Sequence, residues 1–314
     1  MEFLNALYQS LWRVQQQLPK PVSRSLYKRM ARRGIAPDYP FVTDFYGVTY
    51  RGNLSNNIDF NIYYYGAFEK SLLHFMGETL QNIAPEGGVF VDVGANVGQH
   101  SLYMQRLAKT VIAFEPYEAV RRQLLDQVHA NGISHIEVQA LGLSNENARL
   151  PFYAPTGSNE GIGSFDASTL DKGNRLIGEL ELVRGDDFFA ARSDLTIDLM
   201  KIDVEGFEKL ALEGLQQTLA KNRPLVICEI TYDTPLSFQS LAQIQAVFPD
   251  NYHLLTFDTR KPDGSKARRR EARARASGAW KIIPYDKLLH SGQDDIIACP
   301  AEWLDKLPME SAGR

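Results

Sequence analysis

The stretch that most constrains this chain is Val89-Phe90-Val91-Asp92-Val93-Gly94-Ala95-Asn96-Val97-Gly98-Gln99-His100. An apolar run enters a glycine-bracketed turn, and an amphipathic run from Ser101 to Leu107 leaves it. The pattern predicts a buried parallel strand, a tight turn and the start of a helix. The glycines free the backbone for the turn and let a ligand come close. The helix N-terminus then faces that ligand.

From residue 87 onward, strand and helix patterns alternate. Strands are expected at Val89–Val93, Thr110–Phe114, Ile136–Gln139, Leu199–Ile202 and Leu225–Ile230, with helices at 100–108, 117–130, 206–220 and 237–247. Such alternation argues for a parallel sheet with helices on both faces. The 140–198 interval breaks the pattern: Pro151-Phe152-Tyr153, Gly157, Gly161 and Gly163 suggest an irregular β excursion. The tail reads Tyr252–Phe257, a charged loop, Trp280–Ile283 and Asp295–Pro300, and its outer runs suit an antiparallel closing pair.

Ahead of this body, residues 3–33 look helical, with Pro19 and Pro21 dividing them into two short helices. Residues 41–63, with Asn and Gly clustered at 52–57, suggest a hairpin. Tyr63-Tyr64-Tyr65 reads as a β-edge or a pocket rim, before a helix whose apolar face is Leu72, Leu73, Phe75, Met76 and Leu80. The division expected is a helical and hairpin extension over 1–84, a body over 85–300 with a basic loop at 260–276, and a tail over 301–314.

Hydrophobic content of 44% and charged content of 23% suit a water-soluble globule. A net charge of -4 gives no global nucleic-acid signature. The charge is uneven, because residues 1–36 and 260–275 are basic and the middle is acidic. Cys228 and Cys299 lie in apolar runs and read as buried free thiols of a reducing compartment. No apolar run approaches the ~18 residues of a membrane span, and the N-terminus lacks the pattern of a secretory signal. A cytoplasmic protein is the expectation, with the inner face of a membrane as a candidate location.

The turn also carries chemical information. A dinucleotide fingerprint needs Gly-x-Gly-x-x-Gly, and here those positions hold Gly94, Asn96 and Gln99. Two side chains stand where backbone should approach a pyrophosphate, which disfavours a nicotinamide-dependent oxidoreductase. Asp92 at the strand end would repel a pyrophosphate and attract an ammonium or sulfonium, as in S-adenosylmethionine. Glu115 lies roughly 20 residues beyond the turn, the separation at which an acid meets ribose hydroxyls. Lys201-Ile202-Asp203-Val204-Glu205-Gly206 ends a further strand in two carboxylates, and Glu229 ends the next. In open α/β sheets, ligands sit beyond such strand ends.

Taken in order, Gly66-Ala67-Phe68-Glu69, Asp92 to Gly98, Phe114-Glu115-Pro116, Ala140-Leu141-Gly142, Lys201 to Glu208 and Pro224 to Glu229 resemble the FkbM-type methyltransferases. The similarity covers about residues 60–232 and, more loosely, the closing strands. The resemblance implies an α/β, Rossmann-like class I methyltransferase fold, with a seven-stranded, mostly parallel sheet of order 3-2-1-4-5-7-6. It implies methyl transfer from S-adenosylmethionine to a hydroxyl of a sugar, glycan or glycolipid precursor, or secondary metabolite. Carried over, it puts Asp92, Gly94, Ala95, Asn96, Gly98 and His100 around the methionine portion, and counts Glu69 among the cofactor-binding residues. Glu115 falls at the ribose, with Pro116 next to it counted as cofactor-binding, and Ala140 and Leu141 near adenine.

A sugar hydroxyl is a poor nucleophile, so a base within hydrogen-bond reach is expected. Asp203 is the first candidate and Glu205 and Glu229 the second, with His100 as a further possibility. The same carboxylates could instead bind Mg²⁺, but no Asp-Asn pair accompanies the strand-five acid and the other histidines have no ligand-like spacing, so no metal is assigned. Expected partners are a small-molecule or glycan acceptor, with no nucleic acid. Residues 1–36 and 260–276 are candidates for peripheral membrane or anionic-substrate contact, and a homodimer is a further candidate. A non-catalytic S-adenosylmethionine-binding scaffold is the other alternative.

Overall fold

The computed structural model describes residues 2–155, 163–165, 167–232, 235–289 and 291–313. Gly157 and Gly161 of the expected excursion, and His290, lie outside the described residues. The chain forms two compact units, Met1–Phe68 and Glu69–Arg314. The boundary falls ahead of the 84/85 division expected, because the helix after Glu69 belongs to the second unit.

The first unit contains α1 (Glu2–Arg13), α2 (Lys20–Ala31), a hairpin of β1 (Pro40–Phe45) and β2 (Val48–Asn53), and α3 (Asn57–Tyr65). Pro19 caps α2 and Pro21 sits in its first turn, where a missing N–H costs nothing. Tyr46 and Gly47 join the strands with positive φ at both residues (50° and 87°), the requirement of a two-residue primed turn. The three tyrosines end α3 rather than forming a β-edge. The local signals that decide this flank them. The Asn56 side chain accepts the N–H groups of Ile58 and Asp59, and Gly66 closes the helix at φ 86°. Buried Asp59 ties α3 to the hairpin by accepting from the Tyr50 hydroxyl at 2.6 Å and the Asn53 N–H at 2.7 Å.

The second unit opens with α4 (Lys70–Ile83), β3 (Gly88–Val93), α5 (Gln99–Met104), β4 (Ala108–Phe114), α6 (Glu118–Ala130) and β5 (Ile136–Gln139). A small sheet of β6 (Gly142–Ser144), β7 (Ala148–Pro155) and β8 (Asn174–Arg184), in the order β6-β8-β7, forms the expected excursion. Then come α7 (Gly185–Ala190), β9 (Leu199–Ile202), α8 (Glu208–Glu213), α9 (Gln216–Asn222), β10 (Leu225–Thr231) and α10 (Leu241–Ala246). The chain closes with β11 (Tyr252–Phe257), α11 (Arg268–Ser277), β12 (Trp280–Pro284), β13 (Gln293–Pro300) and β14 (Glu310–Ser311).

The large sheet runs β14-β12-β11-β13-β10-β9-β3-β4-β5. It has nine strands where seven are expected, because β12 and β14 extend it beyond β11. The five strands from β10 to β5 are parallel, and β13 is antiparallel to both β10 and β11. Every residue of β3 is buried, as the continuous apolar run requires for a strand covered on both faces. Chain order reverses between β3 and β9, the switch point at which Rossmann-like sheets open a crevice. Residues 268–277 form helix α11 rather than a loop, with no buried residue and with Gly278 closing it at φ 73°. Cys228 and Cys299 are buried and free. Among the described residues, no helix is long and apolar enough to cross a membrane.

Candidate functional site

The glycine turn is built against protein rather than around empty space. Gly94 has φ 82°, and a Cβ there would lie 1.9 Å from the Asp203 carbonyl oxygen. Gly98 has φ 84°, and a Cβ there would lie 2.1 Å from Leu124 Cδ1 of α6. One glycine therefore lets β3 and β9 converge, and the other lets α5 pack on α6. Between them, the N–H groups of Gly94 and Ala95 donate to the Phe114 carbonyl at 3.0 and 2.9 Å. Asn96 takes the left-handed conformation (φ 53°), and its side-chain oxygen accepts the Val97 N–H at 2.8 Å.

Glu115 fastens this turn to the end of β4. Its two oxygens accept the N–H groups of Asn96 and Tyr117, both at 2.9 Å. Burial pushes its carboxyl up to about 7, against the lowering by those bonds. A carboxylate has about four lone-pair sites, so each oxygen keeps capacity for another donor. Pro116 follows, with its carbonyl accepting from Arg121 at 2.6 Å. The Glu115 N–H donates to the Gln139 carbonyl at 3.0 Å, which sets Ala140 and Leu141 beside it. Ala140 is exposed, and Leu141 packs on the core.

Asp92 is 0% exposed. Ser101 Oγ donates to its Oδ2 at 2.6 Å, whereas its Oδ1 is buried without a partner. Strand register sets Asp92 beside Lys201 of β9. Lys201 is itself buried, and its Nζ meets Asp203 Oδ2 at 2.8 Å. Asp203 and Asp92 hold the ammonium cationic against the cost of burial. Lys201 in turn holds Asp203 below the ordinary carboxylate range, although burial alone would raise it.

Around this ion pair stand further carboxyl groups. Glu229 of β10 lies directly opposite Asp295 of β13. Burial, with Asp203 and Asp295 close by, pushes Glu229 up to about 11, so it stays protonated and hydrogen-bonds Asp203. Asp295 rises to about 8, chiefly by burial with Glu69 nearby. Glu205 is half-buried with φ 51°, and burial beside Asp203 raises it to about 7. The acid that caps the following turn is not Glu205 but buried Glu208, which accepts the Gly206 N–H at 2.8 Å and the Val204 N–H at 3.3 Å. Glu69, left-handed at φ 46°, has Oε2 3.4 Å from His100 Nε2. Burial raises Glu69 to about 7 and lowers His100 to about 3, so the imidazole is neutral and a poor base.

The structure thus brings Glu69, His100, Asp92, Asp203, Glu205 and Glu229 to one end of the sheet, with Glu115, Pro116, Ala140 and Leu141 along the neighbouring strand ends. Sequence reasoning gave no role to Lys201 or Asp295. A lysine between Met200 and Ile202 in a buried run was the available signal for the first. Asp295 gives none on its own, because only the antiparallel course of β13 brings its start to the carboxyl end of β10. Among the described residues, no three His, Cys, Asp or Glu are placed to hold a metal ion.

Residues 92–257 match the family model described as the Methyltransferase FkbM domain. Methyltransferase 1 of Beauveria bassiana (strain ARSEF 2860) is 30% identical over 148 residues, covering 42% of this chain and 59% of that protein. AMB antimetabolite synthetase AmbE of Pseudomonas aeruginosa is 29% identical over 180 residues, covering 46% of this chain and 8% of that protein. The chain therefore spans only part of the length of either relative. Among solved structures, Methyltransferase FkbM from Methylobacillus flagellatus KT is 17% identical, with a TM-score of 0.42, over 68% of this chain and 44% of that one. A SAM-dependent methyltransferase from Agrobacterium tumefaciens is 11% identical, with a TM-score of 0.41, over 82% of this chain and 69% of that one.

Proposed function

The chain belongs to the FkbM methyltransferase domain family, and from that premise we propose that it is an O-methyltransferase acting on a hydroxyl of a sugar, glycan precursor or secondary metabolite. The methyl donor is S-adenosylmethionine, which supplies an electrophilic methyl group on a sulfonium when bound. The observation that carries the reading is the Asp92 carboxylate, buried at the end of β3 with Oδ1 unpartnered. An orphaned buried carboxylate oxygen is costly, and a cationic amino group satisfies it. The remaining lone pairs of Glu115 suit ribose hydroxyls, and Ala140 and Leu141 suit the flank of an adenine. Gly94, Ala95, Asn96 and Gly98 shape the turn between them, with Glu69 and His100 closing the side toward the reaction centre.

Asp203 is the counter-ion of Lys201, which makes it a weak base, and Glu229 holds its proton at neutral pH. The role of base therefore passes to Glu205, the half-buried acid raised to about 7 at the mouth of the cluster. A base poised near neutrality combines a deprotonated population with real driving force for proton transfer. Glu205 accepts the acceptor's hydroxyl proton as the oxygen attacks. Lys201 keeps a positive charge beside the carboxyls while that proton arrives.

The experiment is a methyl-transfer screen with labelled S-adenosylmethionine against hydroxyl-bearing glycans, lipid-linked sugars and polyketide-like metabolites. Glu205→Gln is expected to lower turnover about a hundredfold, the scale of general-base catalysis, with S-adenosylhomocysteine binding unchanged. Because the base works deprotonated, wild-type turnover should fall as pH drops below about 7. Full turnover in E205Q, or a pH-independent wild-type rate between pH 5 and 8, removes Glu205 as base.

A further inference from the structure

We propose that the amino-terminal unit docks on an anionic lipid bilayer through α1 and the cations around α2. The unit lies outside residues 92–257, so the family assignment does not account for it. Residues 1–68 hold eight Lys and Arg against four Asp and Glu, although the whole chain is at -4. The rest of the chain therefore carries all of the excess acid.

Helix α1 has two apolar faces. One is used internally: Trp12 is buried, with its ring 5.3 Å from Tyr27 and 5.5 Å from Tyr39. The other is a stripe at helical spacing, Leu4, Leu7 and Leu11, which Val14 follows just past the end of the helix. Leu7, Leu11 and Val14 are 43%, 41% and 42% exposed, and Val22 at the start of α2 is 50% exposed. Arg13, Lys20, Arg29 and Arg32 are exposed in the same unit. A short amphipathic helix with aliphatic side chains on one face and cations nearby lies in a lipid interface without spanning it.

Two other occupants suit the surface less well. A second copy of the chain would bring the same cations against each other across a two-fold axis. Single-stranded nucleic acid would need rings on which to stack, and the exposed stripe is Leu and Val. Anionic headgroups neutralise the arginines, and acyl chains cover the stripe.

The test is co-sedimentation of the full chain with vesicles of phosphatidylcholine alone and of phosphatidylcholine mixed with phosphatidylglycerol. At least tenfold stronger partition onto the anionic vesicles is expected, weakening as salt is raised. Leu7→Glu with Leu11→Glu should reduce that partition at least tenfold, and so should Arg29→Glu with Arg32→Glu. All four side chains are exposed, so both variants should retain the wild-type circular dichroism and S-adenosylhomocysteine binding. The proposal is overturned by equal partition onto both vesicles, by no partition, or by both variants behaving as wild type. A dimer dissolved by L7E/L11E without vesicle binding, or RNA binding without vesicle binding, overturns it as well. Methyl transfer is not the readout, so the two proposals fail separately.

Discussion

Gly94→Ala is expected to weaken S-adenosylhomocysteine binding at least tenfold and to cost about 2–5 kcal/mol of stability, combining overpacking with a left-handed alanine. The new Cβ would stand 1.9 Å from the Asp203 carbonyl oxygen and 2.9 Å from its carbon, both backbone atoms. Neither can swing aside as a side-chain tip can. The Asp203 N–H is also bonded to the Val93 carbonyl at 2.9 Å, so moving β9 breaks a ladder contact. The strain falls where Asp92, Lys201 and Asp203 meet, which couples stability to binding. Denaturant unfolding and calorimetric titration measure the two effects. A G94A chain with wild-type stability and binding would mean that the turn and the end of β9 do not converge.

Lys201→Met is expected to be of similar severity. Breaking a buried ion pair by removing one partner costs about 3–5 kcal/mol, because the other charge stays buried. Here the lysine lies beside two carboxylates, Asp203 at 2.8 Å and Asp92 on the paired strand. Lys201 depresses the folded-state pKa of Asp203, so the pair stabilises above the ordinary carboxylate range and is lost as pH falls through the depressed value. At the alkaline end, the raised pKa of Lys201 preserves the pair beyond the ordinary lysine range. The deficit of K201M should therefore be largest near neutral pH. It should narrow toward about pH 4, where the uncompensated Asp203 can take up a proton. Adding Asp203→Asn should recover part of the loss, since the orphaned charge is then gone. A K201M chain as stable as wild type across that range would show that Lys201 does not organise the site.

Much of the body is legible in the sequence because parallel strands buried on both faces read as continuous apolar runs. Ile136–Gln139 and Leu199–Ile202 fall where the runs place them. Legibility fails where the deciding interaction is non-local or the local pattern misleads. Tyr63, Tyr64 and Tyr65 suggest a strand by composition, yet the Asn56 cap and Gly66 fix a helix. Residues 268–277 show no apolar periodicity and read as a loop. They are nevertheless good helix formers, Arg, Ala and Glu, with a glycine at the end.

The site was legible as a set of carboxylates and not as a division of labour. Asp203 and Glu229 look alike in sequence, each a strand-end acid among apolar residues. Lys201 depresses one, whereas burial, with Asp203 and the Asp295 carboxyl opposite, keeps the other protonated. Glu205 looks like a helix-start acid, but Glu208 holds those N–H groups. The glycines of the turn point to a ligand by pattern, whereas Gly94 and Gly98 make room for Asp203 and Leu124.

The most direct test of the central claim is a calorimetric titration of the full chain with S-adenosylhomocysteine and, separately, NADH, repeated on Asp92→Asn. One-to-one binding of S-adenosylhomocysteine is expected, weakened at least tenfold in D92N, with no displacement by NADH. Absence of S-adenosylhomocysteine binding, or NADH binding that displaces it and survives D92N, would contradict the assignment of this crevice to a methyl donor.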